Sequence, residues 1–203
     1  YLAAGGDKDD DSSANFEEQA RGTNPVDEDS DDDGLKDGFE NGGGTWTSET
    51  MTGTDPLDPD SDDDNLLDGV ENNSGAFADA LSTGTNPNEL DTDLDGLPDG
   101  WEVANAFDPT DNGGVDPNNG ATGDPDGDFS NNLDEFARGT DPRDNDSDDD
   151  TILDGYEDLG GIYVSAVKTG TDPLNRDTDG DGFSDAEETA DGNFVSLTRT
   201  GTD

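Results

Sequence analysis

Asp29-Ser30-Asp31-Asp32-Asp33-Gly34-Leu35-Lys36-Asp37-Gly38-Phe39-Glu40 is the stretch from which the rest of the chain can be read. Carboxylates stand at positions 1, 3, 5, 9 and 12 of these twelve residues, and a glycine stands at position 6. Oxygens on alternate residues can curl round one ion, glycine permits the sharp turn, the position 7 carbonyl adds a ligand, and the glutamate at 12 closes the shell bidentately. That is the ligand spacing of an EF-hand loop. Six or seven oxygens at about 2.3–2.6 Å suit calcium, whereas magnesium demands a tight octahedron and retains its waters.

The pattern occurs seven times. Its candidate metal ligands are Asp29, Asp31, Asp33, Asp37 and Glu40 in loop two; Asp60, Asp62, Asp64, Asp68 and Glu71 in loop three; and Asp91, Asp93, Asp95, Asp99 and Glu102 in loop four. Loop six offers Asp146, Asp148, Asp150, Asp154 and Glu157, and loop seven Asp177, Asp179, Asp181, Asp185 and Glu188. Loops one and five place asparagine at position 9: Asp7, Asp9, Asp11, Asn15, Glu18 and Asp124, Asp126, Asp128, Asn132, Glu135. An isolated acidic run reads as a solvated charge stretch; seven copies in one register do not. Position 6 departs from glycine at Ser12, Asn65, Phe129 and Thr151. Phe and β-branched Thr adopt a left-handed backbone poorly, so loops five and six are expected to be distorted or weaker.

The loops begin at residues 7, 29, 60, 91, 124, 146 and 177, and 117 added to each of the first three gives the last three. Residues 118–203 therefore replay 1–86, which predicts a first super-repeat of four loops over 1–117 and a second, incomplete one of three loops over 118–203. The last residues, Gly201-Thr202-Asp203, match Gly84-Thr85-Asn86 in mid-unit, so a longer parent array is expected. Gly-Thr-Asp/Asn-Pro recurs from Gly22, Gly53, Gly84, Gly139 and Gly170, where Asp or Asn caps a turn that proline fixes. Four loops are followed by a Gly-rich turn and a Thr/Ser/Val-rich stretch carrying Trp46, Phe77, Tyr163 or Phe194, which predicts short strands or hairpins. Loops one and five run instead into residues 15–20 and 132–137, each the start of a single short helix. Apolar residues at position 7 (Leu35, Leu66, Leu97, Ile152, Phe183) and position 11 (Phe39, Val70, Trp101, Tyr156) are expected to form small local cores.

Composition narrows the choices further. With 56 acidic and 8 basic residues, the 203-residue chain carries −48 and repels itself unless neutralised. Leu, Ile, Val and Phe number 31, too few for one large core, which leaves either a solvated disordered polymer or a chain that folds because cations bind it. The chain has no cysteine and no histidine, which excludes disulfides, thiolate sites and the usual zinc and copper ligand sets. The scattered basic residues exclude nucleic acid, and no apolar run reaches the ~20 residues of a membrane helix. Residues 1–20 lack the features of a signal peptide.

Asp-x-Asp-x-Asp-Gly-x-x-Asp-Gly-x-Glu with Gly-Thr-Asp-Pro between loops resembles the thrombospondin type 3 repeat in its cysteine-free bacterial form, over nearly the whole chain. The stretches 91–107 and 123–142 are similar to repeats of secreted bacterial surface proteins. The resemblance implies calcium-wrapped chain with little regular secondary structure, and often more than one ion per unit. Candidate extra ligands are Asn24, Asp55, Asn86, Asp141 and Asp172, and Asp27, Asp58, Glu89, Asp144 and Asn175, for which turn capping is the equal alternative.

The expected fold is thus a mostly irregular, metal-stabilised, elongated repeat array of EF-hand-like loops, with short hairpins, single-turn helices and no single large core. The expected cofactor is Ca²⁺, at least one per loop, about seven or more. At ten times its dissociation constant each ion contributes roughly 1.4 kcal/mol, so seven contribute on the order of 10, a typical domain's stability. Extracellular calcium modules have constants of about 10⁻⁴–10⁻³ M, which places the chain outside the cell, secreted or at the cell surface. The first functional expectation is a structural or adhesive spacer or fibre segment, with self-association into fibres as a corollary. The second is a polyanionic calcium sink or mineral-binding matrix protein. An enzyme is not expected, since each strong carboxylate cluster belongs to a repeated loop and no unique acid/base pair stands out. Asn72-Asn73-Ser74 and Asn145-Asp146-Ser147 match the glycosylation acceptor pattern as chance matches.

Overall fold

Each loop is shaped by two left-handed residues. The computed structural model describes residues 5–188. At position 6 all seven residues have positive φ, from 78° at Asn65 to 104° at Gly96, and so do all seven at position 4: Asp10, Asp32, Asp63, Leu94, Gly127, Asp149 and Gly180. Aspartate tolerates this region better than most side chains, which accounts for its prevalence at position 4. The turn aims the position 6 N–H at the position 1 carboxylate, at 2.9 Å for Gly34 to Asp29, 2.8 Å for Thr151 to Asp146 and 3.3 Å for Phe129 to Asp124. The distortion expected of loops five and six is therefore not found; Phe129 and Thr151 take the same conformation, at φ 79° and 85°. A left-handed L-residue costs about 1–2 kcal/mol. At Phe129 part of that is offset by ring stacking on Tyr156, with centroids 5.4 Å apart and planes 10° from parallel.

Successive loops interlock through position 10, which carries glycine in loops two, three, four and six. A Cβ on Gly38, Gly69, Gly100 or Gly155 would lie 2.4, 2.3, 2.1 or 2.5 Å from the main-chain oxygen of Asp11, Asp33, Asp64 or Asp128, the position 5 residue of the loop before. These glycines are needed for close approach and not for an unusual φ. The same backbone contact is hydrogen-bonded: Gly100 N–H donates to Asp64 Oδ2 (3.1 Å), Gly155 to Asp128 Oδ2 (2.9 Å) and Ala186 to Asp150 Oδ2 (3.1 Å). Arg21 adds a second tie, its guanidinium donating to the carbonyls of Asp37 and Glu40, and Arg138 repeats it on Asp154 and Glu157.

The residues after position 12 set the path of the chain between loops. Gly-rich continuations after loops two, three and six fold back, with Gly42 N–H donating to Thr54 O, Asn73 to Thr85 O and Leu159 to Thr171 O. The strands expected there do not form among the described residues; each segment holds one isolated bridge, Ser48↔Met51, Asp79↔Ser82 or Ser165↔Lys168. Left-handed residues recur along each arm (Gly42, Gly44 and Gly53; Asn73, Gly75 and Gly84; Leu159, Gly161 and Gly170) and interrupt extended backbone before a ladder can propagate. The segment containing Phe194 and the unit ending at Asp203 lie outside the described residues. Helices α1 (Asn15–Arg21) and α3 (Asn132–Arg138) occur where the sequence predicts them, each ended by a left-handed glycine, Gly22 or Gly139. Helix α2 (Asp99–Ala104) was not foreseen; it forms because Val103-Ala104-Asn105-Ala106 replaces the Gly-rich turn after loop four.

The interior is polar. Besides prolines of the turns, Leu66, Leu97 and Phe107 are the buried apolar residues among those described, with Trp101 against Phe107 at 5.8 Å between centroids. The largest fully buried side chains after Phe107 and Leu97 are glutamates, Glu18, Glu40, Glu71, Glu102, Glu135 and Glu157. The small apolar cores expected at positions 7 and 11 thus condense at loops three and four, while Leu35, Phe39, Ile152 and Tyr156 stay half-buried. Two compact units emerge, Tyr1–Val115 and Asp116–Asp203, a boundary two residues before the one the 117-residue period predicts. Among the described residues no helix is long and apolar enough to cross a membrane.

Gly100→Ala places a methyl group on the loop-three backbone. It is expected to destabilise the folded chain by about 1–3 kcal/mol, read as a lower midpoint of thermal unfolding at fixed calcium.

Candidate metal centres

The local hydrogen bonds of loop two divide its carboxylate oxygens into two sets. Gly34 N–H occupies Asp29 Oδ2, Asp33 N–H occupies Asp31 Oδ1, Leu35 N–H occupies Asp33 Oδ1 and the Thr54 hydroxyl occupies Glu40 Oε1. The four remaining oxygens, Asp29 Oδ1, Asp31 Oδ2, Asp33 Oδ2 and Glu40 Oε2, are buried and accept no hydrogen bond. The first three of these carboxylates bring ligand atoms within 4.8 Å of one another, as do Asp7, Asp9 and Asp11 and Asp60, Asp62 and Asp64. In every loop the position 7 N–H fixes position 5 in this way, from 2.6 Å at Ser13 to 3.0 Å at Phe183.

Position 9 turns away from this grouping towards the preceding loop. Asp37 has a ligand atom within 4.8 Å of Asp11 and Glu18, and Asp68 one within 4.8 Å of Asp33 and Glu40. Both sets are buried. Position 2 of the same loop holds the aspartate there: Ser30 donates its N–H and its hydroxyl to the two oxygens of Asp37 (2.8 and 2.6 Å), and Ser61, Thr92, Ser147 and Thr178 do the same to Asp68, Asp99, Asp154 and Asp185. Loops one and five have Lys8 and Pro125 at position 2 and asparagine at position 9. Asn132 donates instead to the carbonyls of Asn118 and Gly120, both at 2.9 Å. Asparagine at position 9 therefore goes with the loss of the Ser or Thr at position 2 that holds the aspartate in the other five loops.

Burial and like charge act together on these groups. Both oxygens of Glu18, Glu102 and Glu135 are buried without a hydrogen-bond partner. Burial first, then the neighbouring aspartates, pushes Glu18 up to about 7, Glu135 to about 8, Glu40 to about 9 and Glu71 and Glu102 to about 10. Asp33, Asp62 and Asp99 rise to about 7 for the same leading reason. A buried carboxylate with neither counter-charge nor donor costs several kcal/mol. Such a cluster must take up protons or a cation. An all-oxygen set of carboxylates fits a hard divalent ion, and loops one to six each bury the glutamate at position 12 beside their aspartates.

The expected ligands are not equally enclosed. Glu188 of loop seven is half-buried and Asp179 and Asp181 are exposed, while Asp185 is buried. Among the extra-ligand candidates, Asp55, Asp141 and Asp172 each cap a turn by accepting the N–H two residues on, from Leu57, Arg143 and Leu174, whereas Asn86 Oδ1 is buried and accepts no hydrogen bond. Asp27, Asp58, Glu89, Asp144 and Asn175 are exposed. The position 9 partnership and the position 10 glycine were missed from sequence, although the Asp-Gly pair that recurs at 9 and 10 of loops two, three, four and six was a signal for both.

Comparison with protein-family models, with curated proteins and with solved structures gives no match for this chain.

The shared carboxylates can be tested by charge and by pH. Asp68→Asn should keep the Ser61 contact but remove the charge between loops two and three, lowering the calorimetric calcium stoichiometry or weakening binding by about tenfold at the affected sites. The folded-state carboxyl values are raised, so without metal these groups favour the fold fully below their ordinary value near 4.5, and lose that contribution as pH rises through about 7–10. A cation replaces those protons. Adding calcium near pH 7 should therefore acidify a weakly buffered solution, and calcium affinity should rise from about pH 6 to 8.

Proposed function

We propose that this chain is a calcium-binding, non-enzymatic structural or adhesive spacer of the thrombospondin type 3 kind, working outside the cell and ordered by the ions it binds. The observation that carries this reading is the loop-two quartet, Asp29 Oδ1, Asp31 Oδ2, Asp33 Oδ2 and Glu40 Oε2, buried with no donor while its four sister oxygens are each satisfied by the protein. Ions held in the seven loops, and between loops where position 9 meets the preceding pair, supply the cohesion that an apolar core supplies elsewhere.

Calcium is preferred to magnesium because the donors are numerous, irregular and carboxylate-rich. Seven divalent ions leave a net −34 of the original −48, and fourteen leave −20, so the surface stays strongly anionic either way. Weak individual sites would fill at millimolar calcium and empty at intracellular levels, which is the basis for an extracellular setting. Association of chains into fibres is part of the proposal and rests on the exposed Ile162, Val164 and Val167.

A polyanionic calcium sink is the second reading. It is favoured by the position 4 aspartates Asp10, Asp32, Asp63 and Asp149, which are exposed and outside the ligand sets.

Small-angle scattering and circular dichroism with and without chelator separate the two. A spacer should change from an ordered particle to an expanded, disordered chain when calcium is removed, over a narrow concentration range. Graded binding of many weak ions with no change in order would leave only the sink.

A further inference from the structure

Four loops are followed by Thr-Gly-Thr, and three of these copies lie among the described residues: Thr52-Gly53-Thr54 after loop two, Thr83-Gly84-Thr85 after loop three and Thr169-Gly170-Thr171 after loop six. Thr52, Thr54, Thr83 and Thr85 are buried at 0, 1, 0 and 0% exposure, unusual for a hydroxyl residue and matched by no apolar requirement at those places. The two hydroxyls touch each other in all three copies, at 2.6, 2.5 and 2.6 Å. In loop two the second hydroxyl goes on to Glu40 Oε1 at 2.9 Å. Thr85 and Thr171 likewise face Glu71 and Glu157 and draw their carboxyls downward against burial, short of full hydrogen-bond geometry.

Two protons must be shared among these groups. A hydroxyl gives one proton, and a carboxylate only accepts. Thr54 must therefore donate to Glu40, which leaves Thr52 to donate to Thr54. The Phe39 carbonyl accepts the Thr52 N–H at 3.0 Å and also lies within donor reach of the Thr52 hydroxyl, at 3.2 Å. With Glu40 ionised the Thr54 proton goes to Oε1, so the short contact between the two hydroxyls uses the Thr52 proton. The effect is to commit Oε1 to the protein and to leave Oε2 without a donor, in a carboxylate that brings a ligand atom within 4.8 Å of Asp33 and Asp68.

Loops one and five lack the first threonine. Arg21-Gly22-Thr23 and Arg138-Gly139-Thr140 stand in its place, the arginines bind neighbouring carbonyls, and the buried Thr23 and Thr140 hydroxyls have no partner. Loop four has Ala106-Phe107 there and no hydroxyl at all. The relay is therefore a property of the loops that run into a folded-back segment, and not a general need of the turn.

We infer that the Thr52–Thr54 pair is a positioning pair for metal binding: its relay holds Glu40 in the orientation that closes the loop-two site. This rests on the calcium reading above. A hydrogen bond to a charged group supports about a tenfold change in affinity when removed.

The test uses the full chain with Trp101→Phe, so that Trp46, in the segment joining Glu40 to Thr52, is the remaining tryptophan. Calcium is titrated against Trp46 emission in Thr54→Val, Thr54→Ser and Thr52→Val. The expected result is a midpoint raised about tenfold in Thr54→Val with the saturated emission unchanged, recovery to within about twofold in Thr54→Ser, and a smaller shift in the same direction for Thr52→Val. A merely space-filling role would leave the valine variant, of equal shape, at the parent midpoint, and would overturn the inference. So would a serine variant as weak as the valine one. If Thr54→Val never reaches the parent emission in excess calcium, Thr52→Val decides, because its hydroxyl does not touch the carboxylate: a raised midpoint with full emission supports the relay, and an unchanged midpoint overturns it. A parent chain whose emission ignores calcium removes the calcium reading itself, a failure distinct from that of the relay.

Discussion

Carboxylates occupy the places where a protein of this size ordinarily keeps leucine and phenylalanine, and the rest of the structure depends on that constraint. Six glutamates and most of the position 5 and position 9 aspartates are buried. Their repulsion and desolvation are unfavourable in any ion-free state at neutral pH. A fold built in this way needs protons or a counter-charge in its interior.

The backbone is organised to deliver those carboxylates in fixed orientations. Left-handed residues at positions 4 and 6 point N–H groups inward at one oxygen of the aspartates, which in loop two leaves Asp29 Oδ1 and Asp33 Oδ2 without a donor. The position 10 glycine then lets the next loop approach to main-chain contact, which carries the position 9 aspartate to the pair left by its predecessor. Coupling between neighbours is thereby built into the covalent repeat. The two loops with asparagine at position 9, Asn15 and Asn132, are the two that run into helices α1 and α3, and they stand 117 residues apart.

Phe129 and Thr151 illustrate how neighbours override intrinsic preference. Each is a poor left-handed residue, yet each is held there by an N–H bond to the first aspartate of its loop, and Phe129 gains a ring partner as well. The opposite case is the folded-back segments, where β-prone Thr, Val and aromatic residues were outweighed by recurring left-handed glycines and yielded single bridges.

By itself the sequence located the seven acidic loops, with their left-handed residues at position 6, and the two helices after loops one and five, because each depends on spacing along the chain and on local turn chemistry. Tertiary structure decided which loop each carboxylate serves. Nothing in the spacing of Asp37 distinguishes a ligand of its own loop from a group shared with Asp11 and Glu18, since that choice is made by Gly38 packing on a backbone twenty-seven residues earlier and by Ser30 holding the side chain. The buried threonine pairs were invisible for the same reason. A Thr-Gly-Thr reads as a turn until the fold places its hydroxyls against a glutamate fourteen residues away.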